Sequence, residues 1–475
     1  MTQLKLYNTE TREKEPVTGH ALKMYTCGPT VYNFAHIGNF RTYVFEDLLR
    51  RTLKFFGAEV IQAMNITDVE DKILEASLKA KLSLHDFTAP YIRAFFEDLR
   101  ALHIQPVEFY PRATEFIPEM VQIIEKLLDL KIAYRVPDGS VFYSISHFPA
   151  YGRLSHLCLE NLKIGASERN TQDEYEKENP CDFVLWKSYN PERDGGVFWE
   201  TSLGKGRPGW HIECSAMAMK VLGETVDIHA GGVDNMFPHH ENEIAQSEAY
   251  SGKLFVRHWV HSEHLLVEHK KMSKSLGNFY TLRDLLKKGY TGTEVRYMLI
   301  HTHYRTQLNF TFEGLEGARH SLERLGDFIA RLQAAPDAKK DGKIAPVLKQ
   351  AETDFSEALA DDLNISVALA ALFELVRKVN TLCDEEKIGK GEAEEVLSLL
   401  HRFDQVLGFL PFEREEEVPA EFMELLLQRE EARKSKNWKE ADAYRDKILA
   451  AGFMIEDTPG GARLKKKGGR MNDEG

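Results

Sequence analysis

The spacing of apolar positions changes along the chain, and the changes divide it. Residues 1–20 are polar with scattered apolar positions, which predicts an edge strand and a lead-in. Ala21 to Thr26 is a short apolar run, expected as a buried strand. From Phe40 to Phe56 the apolar residues Val44, Leu48, Leu49, Leu53 and Phe56 recur at helical spacing. A second buried strand is expected at Val60 to Ile66, then helix over 72–105, with Ile73, Leu74, Ala76 and Leu78 on one face. Pro106 to Ala113 breaks the pattern and Glu115 to Leu130 reads as an amphipathic helix. Tyr134 to Ile145 alternates around Pro137-Asp138-Gly139, a hairpin signal. Residues 146–200 are irregular and polar, apart from an apolar strand at Cys181 to Lys187.

The α/β character returns with Val226 to Asp234, a strand running into a Gly-Gly-x-Asp turn. Pro238 is expected to open a helix, 255–268 to give one more strand, and Leu282 to Arg305 to carry helix. From Glu313 the period is helical: 313–334, 344–360, 364–382 and 391–407, with a charged linker from Pro336 to Lys343. An acidic break, Glu413 to Glu417 with Pro419, precedes a last module. That module has a charged helical stretch, Glu421 to Ala451, and a small hairpin pairing Phe453–Ile455 with Ala462–Leu464. A tail from Lys465 to Gly475 should be mobile.

The class expected is therefore α/β. A Rossmann-like nucleotide-binding domain is split over 1–110 and 206–268, with an insertion at 111–205. A connecting region at 269–312 leads to an α-helical bundle at 313–410 and a small α+β module at 420–475. A hydrophobic share of 43% supports real cores in a 475-residue chain. No apolar run approaches the roughly 20 residues of a membrane span, and Met1-Thr2-Gln3-Leu4-Lys5 lacks a signal peptide's apolar core. Both point to the cytoplasm. The net charge of −13 does not advertise nucleic-acid binding, although a local basic surface can still supply it. Cys27, Cys158, Cys181, Cys214 and Cys383 are too few for a disulfide framework, and read as reduced thiols or metal ligands.

Two stretches carry candidate chemistry. Cys27-Gly28-Pro29-Thr30-Val31-Tyr32-Asn33-Phe34-Ala35-His36-Ile37-Gly38-Asn39 passes from strand to helix start. There backbone N–H groups and the positive dipole end suit a phosphate, His36 adds a donor, and Gly38 allows close approach. Lys270-Lys271-Met272-Ser273-Lys274-Ser275-Leu276-Gly277-Asn278 is a basic loop whose ammonium groups can neutralise a polyphosphate as charge develops. Each alone is also an ordinary capped helix or solvated turn. In this order, separated by an α/β stretch, they resemble the two signatures of class I aminoacyl-tRNA synthetases. The fourth position of the first signature is most often histidine in that class and is Asn39 here. An asparagine amide still donates a hydrogen bond.

Further stretches narrow the resemblance. Asn65-Ile66-Thr67-Asp68, Gly209-Trp210-His211-Ile212-Glu213-Cys214 and Phe237-Pro238-His239-His240-Glu241-Asn242-Glu243 look like signatures of the cysteinyl-tRNA synthetase family. From spacing alone, His239 and Glu243 share a helix face, and Thr67 or Asp68 reads equally as a helix cap or as a holder of an amino group or a ribose. The resemblance implies zinc ligands at Cys27, Cys214, His239 and Glu243, and Mg2+ with ATP. It implies His36, Asn39, Lys271 and Lys274 in catalysis, and Pro29, Gly38, Gly232, Asp234 and Lys274 in ATP binding. Thr30, Thr67, Trp210 and His229 would line the amino-acid pocket, where a packed tryptophan and a satisfied histidine are the plainer readings of the last two.

The implied reaction joins L-cysteine to tRNA(Cys) through an adenylate, with the 2′-hydroxyl of the terminal ribose attacking. Zinc, borderline-soft, prefers a thiolate to a hydroxyl, so the substrate sulfur is expected as a ligand that separates cysteine from serine. Region 269–312 would then touch the tRNA stem and the bundle would bind tRNA. The last module would read the anticodon, with Arg429, Arg433, Lys434, Lys436, Trp438, Lys439 and Arg445 as candidates in its charged helical stretch. A monomer is expected. The alternatives are a ligase of cysteine to a small amine, a zinc hydrolase, and a non-catalytic tRNA-binding relative.

Overall fold

A computed structural model describes residues 2–157, 182–273, 276–337, 344–412, 420–435, 437–451, 453–458 and 461–466. Cys158, Cys181, Lys274, Lys436, most of the expected charged linker, the acidic break and the end of the tail lie outside these residues.

A hairpin, β1 (Lys5–Asn8) and β2 (Glu13–Pro16), opens the chain where an edge strand was expected. The central sheet follows: β3 (Ala21–Thr26) pairs in parallel with β4 (Glu59–Met64). Helix α1 (Ile37–Phe55) crosses between them, burying Phe40, Val44, Leu48 and Leu53. The predicted helix over 72–105 is two, α2 (Asp71–Ala80) and α3 (Leu84–Ala101). The break is at Lys81, left-handed at φ 56°, with Ser83 capping the second helix. The cap of α2 is Glu70, not Thr67 or Asp68. Asp68 instead accepts hydrogen bonds from Thr114 N at 2.9 Å and Thr114 Oγ1 at 2.7 Å.

Helix α4 (Ile117–Asp129) leads into an antiparallel sheet of β5 (Ala133–Arg135), β6 (Val141–Tyr143), β7 (Phe183–Ser188), β8 (Trp199–Thr201) and β9 (Gly204–Pro208), in the order β5-β6-β7-β9-β8. This insertion therefore runs to Pro208, past the expected 205, because β9 pairs with β7 and β8. Lys187 and Arg207 of this sheet reach Asp71 at the start of α2, the lysine at 2.6 Å, and fasten the insertion to the central domain.

Cys214 lies inside α5 (Trp210–Leu222). The central sheet is completed by β10 (Val226–Gly232) and β11 (Val256–Ser262), with α6 (Glu241–Ser251) between them. Pro238 does not open that helix. Met236–His240 forms a wide turn with Phe237 extended, and regular helix begins at Glu241. All four strands are parallel, in the order β11-β10-β3-β4. The order reverses direction between β3 and β10, which opens a crevice at their carboxyl ends.

The strand expected over 255–268 is likewise two, β11 and β12 (Leu265–Val267). The latter joins β13 (Lys270–Lys271) and β14 (Leu308–Phe310) in a small sheet below the basic loop. Helices α7 (Leu282–Lys287) and α8 (Gly292–Ile300) follow. The bundle is α9 (Phe312–Gln333), α10 (Ile344–Ala360), α11 (Ile365–Asp384) and α12 (Lys390–Leu407), close to the ranges read from the apolar period. Its core is continuous with that of α1, α7 and α8, since Phe40, Val44, Leu285, Val295, Leu325, Leu372 and Leu400 belong to one buried cluster. The last module has α13 (Ala420–Lys434), α14 (Trp438–Ala450) and a hairpin of β15 (Phe453–Thr458) and β16 (Gly461–Lys466), around Leu426, Ile448 and Phe453. Among the described residues, no helix is long and apolar enough to cross a membrane.

Candidate active site and metal centre

The crevice between β3 and β10 collects side chains that are far apart in sequence. Cys27 leaves the end of β3, Cys214 comes from the second turn of α5, His239 from the wide turn, and Glu243 from the first turn of α6. One ligand atom from each lies within 4.8 Å of all the others, and all four residues are buried. Glu243 Oε1 is 3.0 Å from His239 Nε2, yet it completes no hydrogen bond. That suits two ligands aimed at a common third point. His239 Nδ1 faces His211 Nδ1 at 2.9 Å. Burial and the neighbouring His239 hold His211 neutral, so it accepts from His239 Nδ1 and leaves Nε2 as the His239 nitrogen that faces Glu243.

The charges are arranged for a cation. Cys214 is lowered to about 6, chiefly by a hydrogen bond from Cys27, which itself is pushed well up; the pair shares one proton. Burial pushes Glu243 up, but His229 and His239 outweigh it and hold the carboxylate at about 2. Burial pushes His239 down, and Cys214 and Glu243 reverse this, raising it to about 10. A divalent cation would displace those shared protons, as metal binding to thiols and imidazoles does. Two sulfurs, one imidazole and one carboxylate are a fitting donor set for a tetrahedral borderline-soft ion.

A second ring of side chains supports these four. His229 is fully buried, with Nε2 3.0 Å from Glu243 Oε2, and it stacks on Trp259 at 4.6 Å. It is expected to line the amino-acid pocket; the structure shows it buried against the Glu243 carboxylate, and His229 and His240 form a second close group with Cys27 and Glu243. His240 Nε2 is 3.2 Å from the Cys27 sulfur, and His240 Nδ1 is 2.8 Å from His261 Nε2. The sequence reading missed His211, His240 and His261; the doublet His239-His240 and the His258-Trp259-Val260-His261 strand were the available signals. Trp210, by contrast, is not packed away: it is 38% exposed, and its ring stacks on His239 at 4.3 Å. Thr67 is buried, paired with Thr30 by a backbone bridge, and its hydroxyl accepts from Asn65 Nδ2 at 3.1 Å. Pro29 is buried and its carbonyl takes Thr67 N at 3.0 Å.

The two signature stretches meet beside this centre. His36 caps α1: Asn39 N donates to His36 Nδ1 at 3.1 Å, and His36 N donates to Asn39 Oδ1 at 3.1 Å. The cap fixes the ring proton on Nε2, the donor side a phosphate needs. It also places Asn39 in the cap through its oxygen. Free N–H groups were expected at this helix start, but Ile37 N donates to Tyr280 O at 3.0 Å and Asn39 N is used in the cap. His36 bridges to Thr281, packs edge-on against Phe279, and Met272 of the basic loop lies against Gly38. Asn278 shapes that loop, taking Ser273 N at 2.8 Å and donating to Lys271 O at 3.2 Å. Lys271 is exposed. Lys274 lies outside the described residues. Across the crevice Gly232 leaves room for the Asp234 carboxylate, whose Oδ1 would be 2.4 Å from a Cβ at that position, and Asp234 is exposed.

This fold, with its two joined signature stretches, defines a class I aminoacyl-tRNA synthetase. A family model described as tRNA synthetases class I (C) catalytic domain matches residues 13–320. A DALR domain matches 354–411, and a cysteinyl-tRNA ligase anticodon binding domain matches 415–463. The chain is 58% identical over 468 residues to cysteine–tRNA ligase of Protochlamydia amoebophila, covering 98% of each chain. It is 56% identical over 467 residues to that of Chlamydia pneumoniae, covering 97% of this chain and 98% of the other. The chain belongs to the cysteine–tRNA ligase family. Its fold is also that of Mycobacterium tuberculosis methionyl-tRNA synthetase in complex with methionyl-adenylate, at TM-score 0.59 and 13% identity over 82% of this chain and 88% of the other.

Proposed function

We propose that this chain joins L-cysteine to tRNA(Cys) in two steps, and that the metal it holds is zinc. The observation that carries this is the convergence of Cys27, Cys214, His239 and Glu243 at the crevice where both signature stretches meet. When bound, zinc supplies a centre that prefers thiolate sulfur to a hydroxyl, which is the discrimination that cysteine against serine requires. Trp210 walls the amino-acid pocket, and Thr30 and Thr67 form its floor. The substrate carboxylate attacks the α-phosphate of ATP, which enters with Mg2+. His36 Nε2 and Asn39 hold the phosphates at the start of α1, with Pro29 and Gly38 shaping the approach. Lys271 and Lys274 stabilise charge on the departing pyrophosphate. Gly232 and Asp234 hold the adenosine, with the carboxylate toward the ribose hydroxyls. The terminal 2′-hydroxyl of tRNA then attacks the acyl carbon of the adenylate, the acyl–phosphate bond breaks, and AMP leaves.

The bundle and the last module hold the tRNA. Arg429, Arg433, Lys434, Lys436, Trp438, Lys439 and Arg445 provide phosphate and base contacts, and Trp438 is 61% exposed. We place the protein in the cytoplasm as a monomer.

The deciding experiment is pyrophosphate–ATP exchange with cysteine and with serine, on wild type and Cys214→Ser, with bound metal quantified. Exchange with cysteine alone, lost together with zinc in the variant, is expected. Exchange in a protein that contains no zinc would leave the activity standing and remove the metal from it.

A further inference from the structure

Beyond the site, a buried charged cluster joins α1 to the end of the bundle. Asp47, on α1, is buried. Its Oδ2 takes Arg51 Nε at 2.7 Å and lies 2.6 Å from the guanidinium of Arg296, on α8. Its Oδ1 takes Gln105 N at 2.9 Å. Both guanidiniums then reach past Asp47 to the last turn of α12. Arg51 donates to Gln405 O at 3.1 Å, and Arg296 Nε donates to Leu407 O at 2.7 Å. They also tie down the chain after α3, Arg51 through His103 O at 2.7 Å and Arg296 through Leu102 O at 3.0 Å. Gly408, left-handed at φ 65°, ends α12; a Cβ there would be 3.0 Å from Arg51 Cζ and 3.1 Å from Arg296 Cζ.

The chemistry is directional. Two guanidiniums sit against the C-terminal carbonyls of α12, where the helix dipole is negative, with Asp47 and the helix's own Asp404 as the anions nearby. An apolar contact between helices tolerates small shifts of angle, whereas planar guanidinium forks bonded to named carbonyls do not. Burying three charges gains little stability over a well-packed apolar substitute, so a network of this kind is better suited to fixing an orientation. Its position fits that use. Asp47 and Arg51 lie two to four turns along the helix that His36 caps, so α1 carries the phosphate-facing histidine at one end and grips the bundle further along.

We infer that Arg51 and Arg296 are positioning residues. They set the bundle at one angle to α1, so that tRNA held by the bundle and the last module delivers its 3′ end to the crevice. This rests on the proposed tRNA-binding role of the bundle. Neither residue touches the amino-acid or ATP sites, so the adenylate step is insensitive to them and the transfer step is not.

The test uses the full chain and the variants Arg296→Met and Arg51→Met, each keeping an unbranched apolar stem. Cysteine-dependent pyrophosphate exchange, which needs no tRNA, is compared with aminoacylation over a range of tRNA(Cys) concentrations. Exchange is expected within twofold of wild type, while kcat/KM for tRNA falls tenfold or more. Loss of both activities in proportion, or of neither, overturns the inference. If Arg296→Met does not fold, Arg51→Met, at the rim of the cluster, decides by the same criterion. A wild-type protein that exchanges but never charges tRNA would defeat the tRNA reading itself, a result distinct from any behaviour of the variants.

Discussion

Replacing Gly38 by alanine separates catalysis from stability in a way the geometry makes quantitative. A Cβ on Gly38 would lie 3.0 Å from both Cε1 and Nδ1 of His36, and 3.1 Å from Cε of Met272. The methionine methyl ends a flexible chain and can move aside. The imidazole is held by the hydrogen bond from Asn39 N to its Nδ1 at 3.1 Å, so its shift is taken from that bond. Turning the ring away loses the cap, which costs about 1 kcal/mol. Against this, alanine in place of glycine near a helix start gains up to about 1 kcal/mol in backbone preference. The two nearly cancel, so the melting temperature should move by no more than roughly 3 °C. The activity should not be spared. A donor turned away from a developing charge typically costs roughly a hundredfold in rate. Cysteine-dependent pyrophosphate exchange should therefore fall by about that factor in a protein that melts normally. Unchanged exchange would refute the role given to the cap. A fall matched by a large loss of stability would refute the claim that the effect is local.

Other outcomes follow from the same structure. Incubation with a strong chelator should lower the melting temperature and abolish cysteine-dependent exchange together, and added zinc should restore both; indifference to the chelator would remove the metal centre. Trp210→Ala should raise KM for cysteine by roughly fivefold, about 1 kcal/mol, with little change in melting temperature, since the ring is half-exposed and stacks mainly on His239. Burial raises Asp98 to about 6, with Arg283 opposing and Glu97 assisting. The folded state therefore holds that proton more tightly than the unfolded chain, and stability drops as pH rises from about 4 to 6, by about 2 kcal/mol once solvent screening is allowed for. Asp98→Asn should flatten the melting curve over that window, and an unaltered pH profile would show that Asp98 is not the group responsible.

The sequence alone determined the elements whose apolar spacing was regular. The parallel strands at 21 and 60 and the four bundle helices lie close to where their periodicity put them, because burial against one face is written into every third or fourth residue. The two signature stretches were legible for a different reason: phosphate chemistry fixes residue types within a few consecutive positions. Element ends were less legible. Lys81 breaks a helix that reads as continuous, and Met236–His240 postpones the helix expected to open at Pro238, because a left-handed residue or a wide turn leaves no mark in the hydrophobic pattern.

What tertiary structure decided is which distant residues meet. Cys27, Cys214, His239 and Glu243 stand on four elements, and only the order β11-β10-β3-β4 brings their ligand atoms within 4.8 Å. The same order set His229 beside Glu243, with its Nε2 3.0 Å from the carboxylate. It also placed Arg51 and Arg296 on the end of α12, a contact between residues with no periodicity, motif or spacing to announce it. Local pattern specifies which face of an element is buried; which side chains face each other across the fold is settled only when the elements pack.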